Sequence, residues 1–171
     1  QFYIFWHTFR TYKTRPFSSE SNIYSMFGNE GSPMVFPAAG QDTTLGADIG
    51  GVSAASLEIA PTLEFDDSWL TVGITDGAAE ALGFAPADLF DGWNSGAELI
   101  DSNGGVFWMV PADGPSGSVV VAQLASGCGS HTATFNLQGQ STDSGVDWRA
   151  IGLSASWSGP PCPTPEYAWA A

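Results

Sequence analysis

Apolar residues recur at every second position in short runs along most of this chain, and clusters of Gly, Pro, Asp and Ser separate the runs. A period of two is the spacing of side chains on one face of a β-strand. The pattern therefore predicts strands over residues 23–27, 34–36, 57–59, 63–65, 69–74, 106–110, 118–124, 132–137 and 147–157. In the last of these, Trp148, Ala150, Gly152 and Ser154 should face one way and Arg149, Ile151, Leu153 and Ala155 the other. Turn chemistry fills the gaps at Asp76-Gly77, Asn103-Gly104-Gly105, Asp113-Gly114-Pro115 and Asp143-Ser144-Gly145. Only residues 78–90 suit a helix, and Pro86 limits it to a turn or two. About eight or nine short strands at this spacing predict an all-β fold, a β-sandwich of Ig-like or jelly-roll-like kind over residues 17–159.

The two ends follow other patterns. Residues 2–13 read as a long strand of their own, carrying Phe2, Tyr3, Phe5, Trp6, Phe9 and Tyr12, and Pro16 separates them from the body. An exposed edge this apolar invites aggregation, so it must be buried in something. Two hosts fit: its own sandwich, as a first strand, or a neighbouring copy, entered by strand donation. The chain thus divides into an N-terminal arm (1–16), a sandwich (17–159) and a Pro-rich tail (160–171). In the tail, Pro160, Pro161, Pro163 and Pro165 set an extended polyproline path. Together with Thr164 they are the expected positions for O-linked sugars where a host hydroxylates proline.

Composition narrows the class. The 171 residues can close a real core, and 43% hydrophobic against 13% charged residues excludes a charge-solvated disordered chain. With 21 Gly and 11 Pro the chain is no helical bundle. The formal net charge of −14 argues against nucleic acid and anionic membrane surfaces as partners. Placement matters more than the total. Arg10, Lys13 and Arg15 lie in the first 15 residues with no acid among them, while the remainder holds all 18 acids and one base, Arg149. A basic arm beside an acidic body points toward another copy of the same chain. No apolar run is long enough to span a membrane. The apolar stretch 2–6 precedes the bases, the reverse of a signal peptide; a chain starting at Gln1 is either processed or incomplete, and the expectation is a mature extracellular or cell-surface protein.

Catalytic chemistry has little to work with. The two histidines, His7 and His131, stand apart, with no nucleophile elbow in the sequence, and Cys128 and Cys162 form no zinc-ligand cluster with them. Lys13 is the sole lysine, so no phosphate-binding loop is present. The two cysteines are read as one disulfide closing a loop of about 35 residues, a constraint of roughly 3 kcal/mol or more, with two unpaired thiols as the alternative. The doublet Asp66-Asp67 before Ser68-Trp69 reads as a turn leading into a strand. Oxygen-rich turns with Asp101, Asn103, Asp143 and Asp147 are weak calcium candidates, and no other cofactor is expected. Among the tryptophans, Trp93 falls in a loop, Asp91-Gly92-Trp93-Asn94-Ser95-Gly96, and is the candidate sugar contact.

Several blocks carry a resemblance: Glu64-Phe65-Asp66-Asp67-Ser68-Trp69-Leu70-Thr71-Val72-Gly73, Gly104-Gly105-Val106-Phe107-Trp108-Met109-Val110-Pro111, and Asn136-Leu137-Gln138-Gly139-Gln140 followed by Asp147-Trp148. Over roughly residues 22–158 they resemble uncharacterised secreted β-sandwich domains of algae and other aquatic microbial eukaryotes. That resemblance brings no catalytic residues with it. The arm, sandwich and tail layout also resembles protomers of extracellular glycosylated helical fibrils, which polymerise by inserting an N-terminal strand into the next subunit. It implies a non-enzymatic structural subunit whose interface is Phe2, Ile4, Trp6, Phe9, Arg10, Tyr12, Lys13 and Arg15, the aromatics filling a groove between the neighbour's sheets. The alternative is an extracellular carbohydrate-binding or adhesion module with glycans as partners.

Overall fold

The computed structural model describes residues 21–141 and 145–159. The arm interface residues Phe2, Ile4, Trp6, Phe9, Arg10, Tyr12, Lys13 and Arg15 lie outside that range, as do Asp143, Cys162 and the tail positions Pro160, Pro161, Pro163, Thr164 and Pro165.

The described chain is mostly antiparallel strand: β1 (Ser21–Phe27), β2 (Met34–Phe36), β3 (Trp69–Leu70), β4 (Leu82–Ala85), β5 (Leu99–Asp101), β6 (Gly105–Trp108), β7 (Ala122–Gln123), β8 (Ser130–Ser141) and β9 (Asp147–Ser158). Seven of them form one sheet. In it β8 pairs on one side with β9 and on the other with both β1 and β2; β6 and β4 extend outward from β1, and β5 from β2. β3 and β7 form a separate two-stranded ladder. The fold is all-β and sandwich-like.

Alternation decides which face is buried. Val106, Met26, Leu137 and Ala150 lie in one cross-strand row, and Val106 and Met26 are wholly buried. From the opposite layer Leu70, Val72, Val119, Val121 and Leu124 meet that face in one continuous core. The layers are also joined by hydrogen bonds: Trp108 Nε1 donates to the Val72 carbonyl at 2.7 Å. A removed core methionine or leucine here costs about 2–5 kcal/mol.

Two expected strands are helical. Residues 57–59 belong to α1 (Ala54–Ile59), which Ser53 caps by accepting a hydrogen bond from Ser56 N. Residues 63–65 belong to α2 (Leu63–Asp66), which begins after Pro61. Three-residue apolar runs fit one helical turn as well as a strand, and only Leu63 of these six-plus-four helical residues is buried. The segment 78–90 is a 3-10 turn, Ala79–Ala81, followed by β4, not a helix. β4, β5 and the single turn α3 (Asp91–Asn94) lay outside the expected elements.

Alternation along β9 also differs from expectation. Trp148 and Ala150 pack on the core as one set, but Leu153, Ala155 and Trp157 are the inward set beyond them. Leu137 opposes Ala150 and Phe135 opposes Leu153, so Ile151 and Gly152 together face Asn136 alone. This β-bulge, with Gly152 at φ +70, moves the remainder of β9 by one residue and exchanges its faces.

Candidate strand-docking edge

The hairpin β8–β9 is the longest paired element described, with twelve residues in each strand. Its bulge is held from inside. Asn136 is fully buried and uses its whole amide: Nδ2 donates to the carbonyls of Phe27 (2.9 Å) and Ser32 (2.8 Å), while Oδ1 accepts from Ser32 Oγ (2.8 Å) and Gly152 N (2.8 Å). One side chain thus ties β1, the turn before β2, β8 and β9 together.

Beyond β9 the sheet meets no further strand among the described residues. The outward side chains of its second half are small: Ser154, Ser156 and Ser158 are exposed while Ala155 and Trp157 are buried. Thr132 and Ser156 hydroxyls share a hydrogen bond across the ladder at 2.9 Å. In its first half stands Arg149, the one base outside the arm. Arg149 does not point over the open edge. Its guanidinium lies 5.8 Å from the centroid of the Phe27 ring on β1, reaching back across β8. Nearby, Gln138 donates to the Tyr24 hydroxyl, and burial together with the Asp147 carboxylate holds the Tyr24 phenol above its ordinary pKa. Long edges are commonly guarded by a charge or a proline. Across Leu153–Ser158 neither occurs.

The opposite sides of the sheet are short. β4 has four residues and runs into Pro86, which has no N–H to offer a neighbour, and β5 has three.

Other candidate residues fall elsewhere. Trp93 is a correction: it sits in α3 with none of its surface exposed, its ring against Phe36 and Phe90 and its Nε1 donating to the Pro37 carbonyl at 2.9 Å. A ring closed on both faces by core residues has no face for a sugar. Asp101 closes its own turn, Oδ1 accepting from Asn103 N at 2.7 Å, while Asp147 lies at the start of β9. Among the described residues no three acids, histidines or cysteines converge as a metal site. Cys128, in the loop before β8, is not a free thiol. His131 stacks on Trp157 with ring centroids 5.6 Å apart.

The Asp66-Asp67 doublet leads into β3, and Asp67 is a structural clasp. Fully buried, it accepts from Asp42 N (2.9 Å) through Oδ1 and from Ala47 N (2.8 Å) through Oδ2, fastening the loop 42–47. A Cβ at Gly46 would lie 2.5 Å from its Oδ1, so glycine is required for the approach. Burial raises the Asp67 pKa above its usual value against the pull of those two N–H groups, and the neighbouring Asp42 and Asp48 charges add to the rise.

Residue patterning alone missed that β9 ends the sheet among the described residues, because which strand ends a sheet is a tertiary property. The bulge, by contrast, had a signal: an isolated glycine, Gly152, inside a strand pattern. The chain matches no protein-family model, no curated protein and no solved structure.

Proposed function

We propose that this protein is a non-enzymatic structural subunit of an extracellular filament, polymerising head to tail by donating its N-terminal strand to the next copy. The observation that carries this reading is β9: a twelve-residue strand paired on one side only among the described residues. The chain itself supplies a matching strand former, residues 2–13, of equal length. At about 3.4 Å per residue both span about 40 Å. Charge favours the meeting, since the arm holds three bases and no acid while the body holds 18 acids and one base.

The described body already closes its two layers with core side chains such as Phe36, Met26 and Trp93, each without exposed surface. The arm is therefore better received at a sheet edge than in a groove between sheets, and main-chain ladder bonds would supply much of the affinity. A disulfide from Cys128 to Cys162 would hold the start of the tail near the end of β9, where Gly159 N donates to the Gly129 carbonyl at 2.7 Å. Any sugars on Pro160–Pro165 would then decorate the filament surface. The glycan-binding alternative loses its aromatic contact with the burial of Trp93.

The test is deletion of residues 1–15. Full-length protein is expected to form filaments and the truncated protein to sediment as a soluble monomer; filaments of the same repeat from the truncated protein would refute the reading.

A further inference from the structure

Resting on that reading, we infer that the arm lies antiparallel along β9 of the next copy, its uncharged aromatic half on Leu153–Ser158 and its basic half at the Asp147 end. Three observations point the same way.

The first is charge. Among the described residues, the hairpin segments at the end where β9 finishes, 125–134 and 153–159, hold neither Asp nor Glu. The other end holds Asp147, and the turn Pro111–Asp113 packs there against β1 and β8, with Asn22 Nδ2 donating to the Pro111 carbonyl at 2.8 Å. An arm running antiparallel brings Arg10, Lys13 and Arg15 to this acidic end; a parallel arm carries them to the end whose described hairpin segments hold no acid.

The second is the bulge. At Ile151–Gly152 the ladder is interrupted and the inward set changes phase, so a regular strand cannot follow both halves of β9 with one face. The second half, Leu153–Ser158, is free of interruption. It is also the half whose exposed positions are serines, which leave room for broad rings beside them. Within the arm, Phe2, Tyr3, Ile4, Phe5 and Trp6 are continuous and uncharged, whereas the bases begin at Arg10. The uninterrupted half of the edge and the uncharged half of the arm are about the same length.

The third is Arg149. Its guanidinium is drawn over Phe27, away from the edge, and this spares the basic half of the arm a like charge beside the ladder.

Cysteine pairs in the full chain test this. Ser156→Cys combined with Ile4→Cys or with Phe5→Cys, the two covering either facing of the arm, is expected to give a covalent ladder of oligomers on mild oxidation. Ser156→Cys with Thr11→Cys is expected to stay near the level of the single-cysteine controls, at least tenfold less cross-linked. The reverse result overturns the polarity and leaves strand donation standing. No cross-link in any pair, with filaments intact, removes β9 as the acceptor. A closed covalent monomer from the Ile4 or Phe5 pair would instead show that the arm returns to its own body, and then the donation reading fails while the polarity holds.

Discussion

The main sheet ends in two different ways. On the side of β1 and β6 it ends in β4, four residues long, stopped by Pro86 and flanked by a 3-10 turn. On the other side it ends in β9, three times that length, with its single base folded back over Phe27. The first side is built as soluble domains build their edges, short and interrupted. The second is paired on one side only among the described residues, on a chain that also carries an aromatic strand former at its start. A long edge without a guard in one place and a short, interrupted one in the other is the contrast on which the proposed strand donation rests.

Substitutions can break this contrast. The largest expected effect is at Asn136, whose amide maintains the bulge and thereby the shape of β9. Asn136→Ala leaves the Gly152 N–H and the carbonyls of Phe27 and Ser32 without their partner, a loss of about 3 kcal/mol read as a lower midpoint in denaturant. Next come charges at the edges themselves. The pair Ser154→Lys with Ser156→Lys on β9 should raise the critical concentration for assembly about tenfold, about 1.4 kcal/mol per contact. Ala85→Lys on β4 should leave it unchanged. Equal effects at both edges would remove the distinction. Raising ionic strength from about 0.01 M to about 1 M shortens the screening length from about 30 Å to about 3 Å, and light scattering should show weaker assembly of a basic arm on an acidic body.

The smallest effect concerns stability and not assembly. Asp67 has a raised pKa in the folded state, so folding favours its protonated form. Its contribution is therefore most favourable below the unfolded value for Asp and declines as pH rises through the folded value. Asp42 acts in the opposite sense lower down, since backbone N–H groups of Leu45 and Thr44 lower its pKa, and its contribution is lost as pH falls. Asp67→Asn should flatten the upper part of the pH–stability profile and lower stability at every pH, because its amide can accept from only one of Asp42 N and Ala47 N, while leaving assembly by the arm intact.

Much of the architecture is legible in the chain before any coordinates. β1 and β2 follow from alternation within 23–27 and 34–36, and β8 and β9 from long runs of it. What fails does so because a run is too short or because a partner is far along the chain. Leu57 and Leu63 stand in runs too short to distinguish a strand from a turn of helix, and the Ser53 cap decides locally for helix in the first. Trp93 reads as a loop residue because its partners, Phe36 and the Pro37 carbonyl, are more than fifty positions away. The phase change in β9 depends on Asn136, a residue of another strand. The arm's character, by contrast, is wholly a property of its own residues, while the edge proposed to receive it exists only after β8 has found β1, β2 and β9.

Hydrogen–deuterium exchange on assembled full-length protein against the chain lacking residues 1–15 tests the central claim most directly. The account predicts that amides of Leu153–Ser158 become strongly protected in the assembled form while those of Leu82–Ala85 exchange equally in both. Equal exchange along β9 in both forms, with filaments present in the full-length sample, would contradict it.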